Sequence, residues 1–218
     1  MRIHFRIRSS NEIVPFNHQQ LLTGTIHKWL GINKEHGKVS LYSFSNLENG
    51  RRKKEGLLFE NNTQFFFSSY DDDLIKKIIK GAREDPSMFH GLSVSEIIIQ
   101  EDPDLNDKEE FYIASPILIK LPDGLKTEHI LYNDPRAGEF LESRMRTKMR
   151  EAGLVDDSLK IRFVTNYPKA KCKLITYGKV QNKVSLCPVI ISGKHETKRF
   201  IWNVGLGNST GVGFGAIK

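Results

Sequence analysis

No apolar run in the 218 residues approaches the roughly 18 needed to cross a bilayer. The opening MRIHFRIRSS also lacks the apolar centre of a signal peptide, so a cytoplasmic protein is expected. There are only two cysteines, Cys172 and Cys187, and no CxxC pair, which excludes a disulfide framework and a cysteine zinc site. No short repeat is evident, so solenoids and propellers are excluded. Acids are almost missing from the last 61 residues, where Glu196 stands alone against 11 lysines and arginines.

That last scarcity is the informative one. The chain carries net +7, yet its first 157 residues are mildly acidic and residues 158–218 hold +10. A strongly positive segment on a mildly acidic body is the footprint of a protein that neutralises phosphates, in nucleic acid or at an anionic surface, with a solubilising basic face as the alternative. With 39% hydrophobic and 27% charged residues, the chain can build one large core or two small ones.

The acid-rich run Glu101–Glu110 has little to bury and reads as a connection, dividing the chain into 1–104 and 105–218. In the first part, Ile3, Phe5 and Ile7 alternate with Arg2, His4, Arg6 and Arg8, as in a half-buried strand with one basic face. A helix follows, with Asn17 as its expected N-cap, Leu22, Ile26 and Trp29 as its stripe and Gly31 as its end. Strands over 39–44, 56–59 and 63–69, a helix opened by Asp71–Asp73 and a strand over 94–100 complete the order β-α-β-β-α-β. The second part gives strands over 110–120 and 128–132 and a helix over 137–151. Strand signals then cover 159–164, 172–178, 184–192 and 199–204. The expected fold is α+β, two tandem ferredoxin-like (βαββαβ, RRM-like) units with a glycine-rich loop at the C-terminal end.

The loop is Gly205-Leu-Gly-Asn-Ser-Thr-Gly-Val-Gly-Phe-Gly215. Glycine lets backbone N–H groups approach phosphate oxygens, but it equally lets a turn pack tightly, and the residues alone leave both open. A Walker A loop is excluded because no lysine follows the glycines until Lys218.

GLGNSTGVGFG at the end of a basic two-unit chain resembles the glycine-rich loop of the repeat-associated RNA-binding (RAMP) proteins of CRISPR systems. The helix entry Val14-Pro-Phe-Asn-His-Gln-Gln20, the following Gly24-Thr-Ile-His27, and the stretch from His36 to Leu47 resemble the endoribonuclease branch that cuts CRISPR precursor transcripts within their repeats. The resemblance implies metal-independent cleavage by attack of a 2′-hydroxyl on the adjacent phosphate, leaving a 2′,3′-cyclic phosphate and a 5′-hydroxyl. It therefore implies no metal and no cofactor. It implies repeat RNA as partner, and leaves contacts with effector-complex subunits and a homodimer open.

Such chemistry needs a base for the 2′ proton, an acid for the leaving oxygen and a cation for the phosphorane. Histidine fits both proton roles near neutral pH. Of the seven histidines, His36 lies in the polar loop Lys34-Glu-His-Gly-Lys38 before a strand, and the resemblance places the family's catalytic histidine there. By the same resemblance His27, near the end of the first helix, is the expected partner in acid–base work, Lys38 the phosphate cation, and His18 a structural residue.

The expected RNA contacts are the Arg51-Arg52-Lys53-Lys54 run, the helical stripe Arg144, Arg146 and Lys148, which continues to Arg150, and the alternating Lys169, Lys171 and Lys173. To these the glycine-rich segment adds Gly205, Gly207, Asn208, Ser209, Gly211, Gly213 and Gly215. Tyr167, Tyr177 and Trp202 are candidate stacking surfaces. The competing function is a non-catalytic RNA-binding RAMP subunit of a CRISPR effector complex, which needs no histidine pair.

Overall fold

The computed structural model describes residues 1–31, 39–60, 62–123 and 126–218. The first half runs β1 (Arg2–Arg8), α1 (Gln19–Leu30), β2 (Tyr42–Phe44), β3 (Gly50–Arg52), β4 (Leu57–Phe59), β5 (Thr63–Ser69), α2 (Asp72–Glu84) and β6 (Ser93–Gln100). Four of these strands form one antiparallel sheet in the order β2-β5-β1-β6, while β3 and β4 pair only with each other. The alternation read in β1 sets which face is buried: Ile3, Phe5 and Ile7 pack on Leu22, Ile26 and Trp29 of α1 and on Leu74, Ile75 and Ile78 of α2. Each such fully buried side chain contributes about 1.5–3 kcal/mol relative to an exposed one. Asp71 caps α2 by accepting from the Asp73 N–H at 2.8 Å.

The second half runs β7 (Glu110–Phe111), β8 (Lys120–Asp123), β9 (Lys126–His129), α3 (Ala137–Glu151), β10 (Lys160–Phe163), β11 (Lys171–Tyr177), β12 (Val180–Leu186), β13 (Val189–Ser192) and α4 (His195–Val204), then a 3-10 turn, Thr210–Val212. Its sheet has the order β10-β13-β7, and β8–β9 and β11–β12 form separate hairpins. Just past β7, Tyr112 and Lys218 exchange backbone hydrogen bonds of 3.0 and 2.7 Å. The core gathers Leu141, Met145 and Met149 of α3 with Phe200, Ile201 and Val204 of α4. The fold is thus a mixed α/β architecture with antiparallel sheets.

A buried cation joins the halves. Arg2 donates to Ser68 Oγ at 2.7 Å and to the carbonyls of Trp202 (3.0 Å) and Ile217 (2.8 Å). Its guanidinium carbon lies 3.7 Å from the ring centre of Phe66 and 3.4 Å from that of Trp202. Burial holds its pKa below the ordinary arginine value, with Asp102 acting in the other direction. The basic face expected of β1 therefore begins only after Arg2: His4 is half-buried, and Arg6 and Arg8 are exposed.

Several sequence expectations are corrected. Residues 199–204 are the end of helix α4, not a strand. Buried Thr197, Phe200, Ile201 and Val204 fall at i, i+3, i+4 and i+7, a period that shows only when the window reaches back to His195. Asp156 secures the start of α4 by accepting from the Lys194 N–H and the Thr197 hydroxyl at 2.9 and 2.7 Å. The strand expected over 110–120 shrinks to β7, because the following chain makes single bridges, Ile113 to Ile217 and Ile117 to Ser185. The run 184–192 breaks at Cys187-Pro188 into β12 and β13. α1 starts one residue later than expected, after His18 rather than Asn17 and without a side-chain cap. Among the described residues, no helix is long and apolar enough to cross a membrane.

Candidate active site

Gly31 ends α1 with φ +66°, returning its N–H to the His27 carbonyl at 3.0 Å. His27 is thereby fixed in the last turn, half-buried. Opposite it, Tyr42 opens β2, stacked on Phe67 with ring centres 5.2 Å apart. The Tyr42 hydroxyl reaches His27 Nε2 at 3.4 Å and donates to the Gly211 carbonyl at 3.3 Å. A histidine of the first half and the glycine-rich loop of the second thus meet at one phenol.

The loop lies along α1. Gln19 Nε2 donates to the carbonyls of Val212 (2.8 Å) and Gly213 (3.0 Å), and the Thr23 hydroxyl reaches Val212 O at 3.4 Å. Gln19, Thr23 and His27 recur every four residues and so share one face of the helix. The sequence reading missed Gln19 and Thr23, although this spacing was available to find them. Tyr42 was missed too, because it stood among the aromatic residues of a strand.

Between the two uses of glycine left open by the sequence, packing dominates. All five loop glycines are buried. Backbone donors are turned inward: Leu206 N–H to Gly215 O (2.8 Å), Asn208 N–H to Leu118 O (2.7 Å) and Gly215 N–H to Pro116 O (2.8 Å). A side chain on Gly205 would meet Gly215 O and Ser43, and one on Gly207 would meet Leu118 O; on Gly213 it would meet Phe44 and Gln19. Gly205, Gly207, Gly211, Gly213 and Gly215 therefore form a close-packed wall. Asn208 and Ser209 remain partly exposed, Ser209 in the left-handed region at φ +60°.

The other expected contacts divide. Lys169, Lys171 and Lys173 are exposed, the latter two on one face of β11. His18 is held below its ordinary pKa first by burial and then by Lys173, with the Pro15 carbonyl opposing, which puts the β11 lysine near the start of α1. Arg51, Arg52 and Lys54 are exposed on the β3–β4 hairpin and Lys53 is half-buried. Arg51 pairs with Glu60 at 3.4 Å and Arg52 lies over Phe16. On α3, Arg144 and Arg150 are exposed, but Arg146 is held by the carbonyls of Asp156 (2.6 Å) and Leu159 (3.0 Å).

Lys148 corrects the expected stripe. It is 6% exposed and donates to Val204 O (3.1 Å) and Thr210 Oγ1 (2.9 Å), because α3 turns this position into the core beside Met145 and Met149. Burial pushes its amine down to about 7. Trp202 is buried against Arg2 and offers no stacking face, while Tyr167 stands edge-on to Tyr112 and Tyr177 is half-buried. His36 and Lys38 lie outside the described residues.

Comparison with known proteins gives a consistent picture. The family described as CRISPR associated protein Cas6, C-terminal, matches residues 99–218. The CRISPR-associated endoribonuclease Cas6 1 of Methanocaldococcus jannaschii is 24% identical over 100% of this chain and 92% of its own. An endoribonuclease-like CRISPR-associated protein, Cas6nc, of Pyrococcus horikoshii is 26% identical, covering 100% of this chain and 99% of its own. A solved structure of a Cas6-related protein from Pyrococcus furiosus superposes with TM-score 0.86 at 21% identity, over 100% of this chain and 97% of that one.

Proposed function

The chain belongs to the Cas6 family, and from that premise we propose that it is an endoribonuclease that processes CRISPR precursor transcripts within the repeat to guide RNAs. The observation that carries the reading is the convergence of His27, Tyr42 and Gly211 where the two halves meet. A half-buried imidazole beside a phenol suits proton transfer on a bound polyanion.

In this reading cleavage is metal-independent. The 2′-hydroxyl upstream of the cut attacks the phosphate, the 5′ oxygen departs, and a 2′,3′-cyclic phosphate and a 5′-hydroxyl result. His27 serves as general base, His36 as general acid, and Lys38 stabilises the phosphorane charge. RNA follows the exposed Lys169, Lys171 and Lys173, with Arg144, the Arg51–Lys54 hairpin and the Asn208–Ser209 rim as further contacts. The fold becomes two tandem ferredoxin-like units. Supporting this, the first sheet follows the βαββαβ order, and the second half repeats it through β7, α3, β10, β13, α4 and the 216–218 segment beside Tyr112.

The test is incubation with a panel of labelled repeat RNAs in EDTA, with end-group analysis. Cleavage to cyclic phosphate ends, abolished when the upstream 2′-hydroxyl is replaced by hydrogen while binding persists, is the expected result. Cutting of the deoxy substrate refutes internal attack. Tight binding to every RNA without cleavage of any identifies the non-catalytic RNA-binding subunit instead.

A further inference from the structure

Lys148 is difficult to account for as a stabilising residue. Its amine is buried, and its two hydrogen-bond partners are a carbonyl and a hydroxyl rather than a carboxylate. Its neighbours along α3, Met145 and Met149, show what the position would accept for packing alone. Removing a cation from water costs several kcal/mol, and a hydrophobic side chain of similar volume is often neutral or better.

The two acceptors explain what the amine does there. Val204 is the last residue of α4, so its carbonyl belongs to the negative end of that helix. Thr210 opens the 3-10 turn in the middle of the glycine-rich loop. One side chain therefore ties the entrance of the loop to its centre from beneath. The residue after Thr210 is Gly211, whose carbonyl receives the Tyr42 hydroxyl, which in turn stands 3.4 Å from His27 Nε2. Gly211 passes close against β2, since a side chain there would meet Ser40 and Tyr42. A shift of the turn is passed directly to the phenol.

We propose that Lys148 is a positioning residue of the cleavage site: through the Thr210 hydroxyl it fixes the turn whose Gly211 carbonyl sets Tyr42 against His27. The inference rests on His27 belonging to the cleavage site.

The experiment uses the full chain and the repeat RNA that it cuts. It compares single-turnover rate with RNA affinity for Lys148→Met, Thr210→Val, Thr210→Ser, Lys148→Met/Thr210→Val and His27→Ala. Displacing a catalytic group by about 1 Å costs on the order of 100-fold, so Lys148→Met and Thr210→Val should each lose about 10- to 100-fold in rate with little change in affinity. Thr210→Ser keeps the acceptor and should cut several-fold faster than Thr210→Val. The double variant should be no slower than the slower single, because both act on one tether. If Lys148→Met fails to fold, the Val/Ser pair at position 210 carries the test. A folded Lys148→Met that cuts at the wild-type rate, equal rates for Val and Ser, or losses that multiply overturn the proposal. If His27→Ala also cuts normally, it is the underlying placement of the site that has failed.

Discussion

The carbonyl oxygen of Leu206 stands where a side chain on Gly215 would have to go, and the Leu206 N–H donates to the Gly215 carbonyl at 2.8 Å. Gly215 also holds φ at +73°, which costs a non-glycine residue about 1–3 kcal/mol even without a clash. Gly215→Ala should therefore lose at least that much stability in urea denaturation. Gly24→Ala, on α1 with no atom within 4 Å of the added methyl, should gain about 0.5–1 kcal/mol. Equal midpoints for the two variants would contradict the packed-wall description.

Neutralising Lys169, Lys171 and Lys173 together should weaken RNA binding and flatten its salt dependence. Each lost phosphate contact lowers the slope of log affinity against log salt by roughly 0.7 for a single strand. All three are exposed, so folding should be untouched. An unchanged slope removes this strand from the interface.

His27→Ala should slow single-turnover cleavage on the order of 100-fold while leaving RNA affinity near wild type, the usual worth of a positioned base. Tyr42→Phe keeps the ring on Phe67 but deletes the hydroxyl that touches His27 and Gly211, and should lose about tenfold. Full activity in both variants would move the chemistry elsewhere.

Stability should depend on pH through Lys148. Its folded pKa is depressed to about 7 from 10.5, so between those values the unfolded chain binds more protons than the folded one. The contribution is complete above about 10.5 and is lost as pH falls through about 7. Urea midpoints for the wild type should thus rise from pH 6.5 to 8.5, and Lys148→Met should show a flatter profile. Parallel profiles would mean that the amine is not desolvated.

The first half was legible because its signals are local. Ile3, Phe5 and Ile7 alternate, Asp71–Asp73 load a helix start, and Thr63–Ser69 was read to the residue. The helix Ala137–Glu151 was equally plain. Failures came where tertiary packing decides. Lys148 looks like any exposed lysine in a charged helix until the loop is laid over it. Residues 199–204 have the composition of a strand when read alone, and their helical period shows only when the window reaches back to His195. The glycines could be read as a phosphate cradle or a packed turn, since what distinguishes them is the neighbour that each touches: Leu118, Phe44 and Leu206 lie far off in sequence or behind a turn. His27 was singled out in the sequence, whereas Tyr42, whose hydroxyl stands 3.4 Å from it, was not.

Arg2 restricts how the two halves can move against each other. Swinging the two halves apart would pull the guanidinium, held on its own sheet by Ser68 and Phe66, away from the Trp202 and Ile217 carbonyls and strip it from the Trp202 ring. Hinge opening at this seam is therefore costly. Under the proposed function, adaptation then falls to the RNA strand, and selection among RNAs becomes a matter of which strands can bend to a preformed surface.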